Sequence, residues 1–94
     1  MSRDTNWYKE LKAIDEKEKI IAIAYDGKKF KSLDEIKDKI DYDFNSGYGG
    51  KEGFAFTAWT KDRVYFPGCY DGSEWIDSIP RNPCDEATSH VGGG

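Results

Sequence analysis

The chain has 94 residues, 34% of them charged, with 18 acidic against 14 basic side chains and a net charge of −4. That length holds one small domain and no second core. The excess of acid is too slight for a mimic of the DNA backbone, with its charge every ~1.7 Å of axis, and has the wrong sign for a strong non-specific nucleic-acid binder.

From Asp4 to Glu16 the sequence predicts a helix. Trp7, Leu11 and Ile14 fall at i, i+4 and i+7, a single stripe of a 3.6-residue period, and Asp4 or Thr5 can cap it. Lys17-Glu18-Lys19 is a polar break. Lys19 to Tyr25 then reads as a strand, closed by Asp26-Gly27, a strong tight-turn signal; Lys28 to Phe30 returns briefly as a second one. Ser32-Leu33-Asp34-Glu35 is a capping box. It opens a second helix with an apolar stripe of Leu33, Ile36 and Ile40, ending near Asp43. Asp34, Asp38 and Asp41 fall on its opposite side, either as a solvated face or as a contact for a basic partner.

Asn45 to Gly53 is a loop by composition. It is no phosphate loop: the Walker pattern needs Gly where Asn45 stands and Ser or Thr where Glu52 stands. Strands are expected at Phe54 to Trp59, Val64 to Tyr70 and Glu74 to Ile79, joined by Thr60 to Arg63 and by Asp71-Gly72. This is a three-stranded meander. Pro80 to Gly94, with two further Gly after Gly92 and few apolar residues, reads as an extended tail. The expectation is therefore an α+β domain over residues 1–79, two helices packed on one face of a mostly antiparallel sheet, followed by a tail over 80–94.

Gly53-Phe54-Ala55-Phe56-Thr57-Ala58-Trp59 resembles the strand on which RNA-recognition motifs stack bases, which reads Gly, aromatic, Gly or Ala, aromatic, aliphatic, any residue, aromatic. The resemblance covers seven residues. It implies a single-stranded nucleic-acid surface built on Phe54 and Phe56 with Lys61 nearby. The sequence departs from the family in Thr57 for an aliphatic residue and Glu52 for a basic one. It also has a Gly-rich loop where the family has a strand, and a strand where the family has its second helix.

Aromatic side chains make up 15% of the chain, with three Trp, six Tyr and five Phe, more than one small core can hide. Alternation sends Phe54, Phe56 and Ala58 to one side and Ala55, Thr57 and Trp59 to the other. Val64 and Phe66 likewise oppose Tyr65 and Pro67. Two short helices can cover one face of this meander, so rings on the other face are left for a partner. Trp59, Arg63, Tyr65, Tyr70 and Trp75 are of the types that dominate binding hot spots, and they form the candidate contact patch, with Asp34, Asp38 and Asp41 steering a basic surface toward it.

Catalytic sets are absent from the pattern. His90 stands alone in the tail, and Cys69, Cys84 and His90 lack the paired spacing of a zinc site. No cofactor or metal is expected. No apolar run reaches the roughly 20 residues of a membrane span, and MSRDTNWYKE lacks the apolar stretch of a signal peptide. A cytoplasmic location follows (the host's cytoplasm if the source is viral), with Cys69 and Cys84 reduced unless the protein meets oxidant. A short Lys- and Asp-rich chain dense in Tyr and Trp resembles small bacteriophage proteins that block a host enzyme or defence complex. The functional expectation is thus a non-enzymatic, stoichiometric protein-binding module. Its alternatives are the nucleic-acid surface above and a self-assembling role through an unpaired sheet edge.

Overall fold

The computed structural model describes residues 4–45, 53–70 and 73–90. The loop read at Asn45 to Gly53 falls mostly outside that range, as do the turn Asp71-Gly72 and the end of the tail. In chain order the elements are β1 (Asp4–Thr5), α1 (Trp7–Lys17), β2 (Ala22–Tyr25), β3 (Lys28–Phe30), a 3-10 turn (Leu33–Ile36) running into α2 (Lys37–Ile40), β4 (Phe44–Asn45), β5 (Thr57–Trp59), β6 (Arg63–Tyr70) and β7 (Ser73–Pro80). Five strands form one antiparallel sheet in the order β3-β2-β5-β6-β7, and β1 pairs with β4 in a separate two-stranded ribbon. The α+β class and the C-terminal meander are as the sequence predicts.

Three boundaries differ from the sequence reading for a tertiary reason, and β2 is shorter than read, beginning at Ala22 and not at Lys19. The first helix starts at Trp7 because Asp4 and Thr5 are taken up by pairing with Asn45 and Phe44. The cap is therefore Asn6, whose side-chain oxygen accepts from Lys9 N at 3.0 Å. The amide of Asn6 also donates to Asp41 at 2.9 Å and Asp43 at 3.1 Å, tying the helix start to the end of α2. Asn6→Ala is expected to cost about 2 kcal/mol, the upper end for a cap, because two further bonds go with it. A urea titration should show a lower midpoint at unchanged slope.

The second helix keeps its start, with the Glu35 carboxylate accepting from the N–H groups of Ser32 and Lys31 at 3.1 and 2.8 Å. It stops at Ile40, since Phe44 and Asn45 leave for the ribbon. The strand read from Phe54 begins only at Thr57, because Phe56 turns into the core and Phe54 packs beside it.

The β2–β3 turn is where glycine is needed. Asp26 and Gly27 have φ of 52° and 74°, both left-handed, as a two-residue hairpin whose twist matches its strands requires.

Residues paired directly across antiparallel strands put their side chains on one face. One row, Phe30, Ile23, Ala58, Tyr65 and Ser78, crosses all five strands. This is the face the helices cover. Ile23 and Ala58 are fully buried against Trp7, Leu11, Ile36 and Ile40. The Trp7 ring meets Phe44 and Phe56 edge-on at 4.9 and 5.9 Å, and its indole N–H donates to the Phe54 carbonyl at 3.2 Å. Phe30, Tyr65 and Ile76 pack around the margin of the same core.

Candidate interaction surface

The other side chains of the sheet make a second, uncovered face. Lys29 pairs with Ala24 and Ala24 with Thr57. One step beyond the Ala58–Tyr65 pair, Thr57 faces Phe66, which pairs with Asp77. A parallel row holds Ala22, Trp59, Val64 and Ile79. Trp59, Val64, Phe66, Trp75 and Ile79 all lie outside the core cluster and outside the shell packed on it. On this face Trp59, Val64, Phe66 and Trp75 are partly buried and Ile79 is exposed.

Gly68 shapes the centre of one end. It pairs with Trp75 on this face, and a methyl at Gly68 would lie 2.8 Å from both Cε2 and Nε1 of the indole. The Trp75 ring therefore lies flat across the glycine backbone. Its N–H points to the Asp77 carboxylate at 3.3 Å, which also accepts from Ser78 N at 2.8 Å.

The sequence-derived patch divides between the two faces. Trp59, Trp75 and Tyr70 stand on the open face, Tyr70 being 55% exposed. Arg63 and Tyr65 stand on the covered one. Tyr65 packs on the core margin, where burial and then the charge of Glu18 push its hydroxyl pKa up. Asp34 and Asp38 are exposed on the 3-10 turn and α2, interleaved with Lys37 and Lys39. Asp41 is committed internally, to Asn6 and to Lys37 at 3.8 Å.

The two rings of the aromatic-strand reading lie in and beside the core. Phe56 is 5% exposed and Phe54 is wedged between Tyr25 and Tyr42 at 5.0 and 6.0 Å. Phe56 packs on Trp7 of α1 and offers no free π-face to bases, while Phe54 is partly buried beside the core. Lys61 is exposed in the β5–β6 turn, on the far side of β5 from them in the chain. Val64, Phe66, Asp77 and Ile79 also belong to the open face, beyond the contact residues that the sequence marks. Two-residue alternation through β6 and β7 carries the signal, but only the pairing register says which half of it is open.

Arg63 holds down the start of the tail. Its Nη1 and Nη2 donate to the Glu86 oxygens at 3.1 and 3.0 Å, and Nε to Ser78 Oγ at 2.8 Å. Arg81 adds bonds to the carbonyls of Thr60 and Asp62 at 2.9 Å, and the Thr60 hydroxyl donates to Glu18. The hydrogen bond from Arg63, more than its charge, holds the Glu86 carboxyl below the usual glutamate range. A lowered carboxylate contributes its tether above the ordinary pKa and loses it as pH falls through the lowered one. Backbone 15N relaxation should therefore report faster motion of residues 82–88 in acid, and Glu86→Gln should produce the same motion at neutral pH. An unchanged tail in both cases would exclude the tether.

Among the described residues no group of three His, Cys, Asp or Glu is placed to hold a metal ion, and no helix is long and apolar enough to cross a membrane. No protein-family description matches this sequence, and searches of curated proteins and of solved structures find no significant match.

Proposed function

We propose that this protein is a non-enzymatic binding module whose open sheet face docks another protein. It acts stoichiometrically, as a phage-type inhibitor of a host enzyme or defence complex would. The observation that supports this reading is the apolar content of the face: Trp59, Val64, Phe66, Trp75 and Ile79 sit together across β5, β6 and β7 and none joins the core. Contiguous apolar area of this kind marks interaction surfaces, and Trp is among the residues enriched at hot spots. Asp34 and Asp38 lie on the helix side, so they contribute long-range steering of a basic partner and no contact at the face.

The test is recovery of a partner from the native host by tagged wild type, followed by measured affinity of the purified pair. Trp59→Ala and Trp75→Ala, each confirmed folded by circular dichroism, should weaken binding roughly 30-fold, the equivalent of a hot spot of about 2 kcal/mol. Equal affinity of both folded variants and wild type would exclude this face.

A further inference from the structure

We propose that the open face is self-complementary and closes on a second copy of this chain, sheet against sheet, about a two-fold axis parallel to the strands. This rests on the reading of the face as an interface and names an occupant for it: the resting partner is another copy, which a different protein must displace.

The argument lies in the order of side chains along one row. From edge to edge it reads Lys29, Ala24, Thr57, Phe66, Asp77 on β3, β2, β5, β6 and β7. A two-fold axis along the central strand lays β3 of one copy over β7 of the other, β2 over β6, and β5 over β5. Every residue of the row then meets its complement. Lys29 faces Asp77 of the second copy, opposite charges at each margin. Ala24 faces Phe66, a small side chain beneath a large ring. Thr57 faces Thr57.

The adjoining row behaves in the same way. Ala22 faces Val64 of the second copy, and Trp59 faces Trp59 beside the axis, where offset rings stack. A hollow of about 230 Å³ lies at the small-residue end of this row, lined by Ile21, Ala22, Lys29, Trp59 and Arg81. It sits where the axis brings Val64 and Ile79 of the second copy, and Ile79 is 37% exposed. The face is thus bulky over β6–β7 and shallow over β2–β3, and its central row ends in Lys29 at the β3 edge and Asp77 at the β7 edge. An isologous contact needs this arrangement, because each patch must fit itself after rotation. Aligned sheets pack about 10 Å apart with interdigitated side chains, a spacing that an alanine opposite a phenylalanine fills.

The available ions also fit. Lys29 is exposed, and none of the carboxylates of the described residues lies within ion-pair distance of it. The Asp77 carboxylate already orients the Trp75 indole, so it presents a fixed acceptor to the incoming ammonium.

The experiment is sedimentation equilibrium on the full chain over a micromolar to millimolar series. Wild type should approach twice the 10.7 kDa of one chain. Ala24→Arg fills the shallow half and should leave a monomer across the series. Lys29→Asp and Asp77→Lys should each weaken association at least tenfold, and the double exchange should restore it. Circular dichroism confirms the fold of each variant. A wild type that stays monomeric to millimolar concentration overturns the proposal, as does an Ala24→Arg protein that dimerises like wild type. Failure here is separable from failure of the interface reading. A monomeric wild type whose partner affinity still falls with Trp59→Ala refutes only the self-pairing. A dimer broken by Ala24→Arg with unaltered partner affinity refutes only the docking of that partner on this face.

Discussion

Trp7→Ala is expected to remove about 3–5 kcal/mol of stability, the range for deleting a large buried ring. A chain of this length has about 5–14 kcal/mol in all, so the variant should be marginal at 25 °C and unfolded at low urea. Three features of the site set the size of the effect. The indole is fully buried. It is the ring on which Phe44 and Phe56 both close edge-on, so its loss leaves a cavity that two rigid neighbours cannot collapse into. Its N–H also satisfies the Phe54 carbonyl, which would otherwise lie unpaired. Trp7→Phe separates these contributions. It keeps most of the ring volume and drops the donor, and should cost about 1–3 kcal/mol. Urea unfolding followed by far-ultraviolet circular dichroism measures both. A midpoint for Trp7→Ala within about 1 kcal/mol of wild type would place Trp7 outside the structural centre and would undo the packing described above.

The second large effect is expected from a single methyl. A Cβ at Gly53 would stand 2.6 Å from Trp7 Nε1, 2.8 Å from Phe44 Cζ and 2.9 Å from Glu74 Oε1. Two of these atoms belong to core rings. The third is held in place by the Gly53 N–H itself, which donates to both Glu74 oxygens at 3.0 and 3.3 Å. Gly53→Ala must therefore push apart the rings and loosen the carboxylate contact together. Overpacking of this kind costs about 1–3 kcal/mol, and the shared contact with Trp7 places it toward the top of that range. The backbone at Gly53 is not left-handed, since Gly27 is the glycine with positive φ among the described residues, so the cost is one of space alone. Gly27→Ala is the contrasting control. Nothing lies within 4 Å of its added methyl, and its cost of about 1 kcal/mol comes from the left-handed backbone. If Gly53→Ala proved no worse than Gly27→Ala, the close approach of the chain to Trp7 would be disproved.

These two sites show how much of the molecule local pattern could reach. Trp7, Leu11 and Ile14 announce α1 because a 3.6-residue stripe survives in sequence whatever it packs on. Asp26-Gly27 announces its hairpin because both residues must adopt positive φ, and few residue types do so at low cost. Ser32 to Glu35 announces a helix start because the two bonds of a capping box are local. Nothing local announces the ribbon of β1 with β4. Its partners lie some forty residues apart, and that pairing is what moves the first cap to Asn6 and ends α2 at Ile40.

The candidate site divides along the same line. Surplus rings on a meander were readable from composition and alternation, and with them Trp59, Trp75 and Tyr70. Their separation from Tyr65 and Arg63 was not. Phe54 and Phe56 carry a base-stacking pattern in sequence, while in space Phe56 is core and Phe54 packs beside it, since a strand period reports only that two residues share a side. Which side receives the helices is fixed by long-range burial, here by Trp7 closing on Phe56.

By itself, then, the sequence determined the helical stripe, the glycine turn, the meander and an excess of aromatic surface, because each is written in neighbours along the chain. Tertiary structure alone decided the register that lines Lys29, Ala24, Thr57, Phe66 and Asp77 in one row and the choice of face that leaves this row open. Those follow from strand pairing between residues distant in sequence, and a shift of one residue would turn every side chain of a strand to the opposite side.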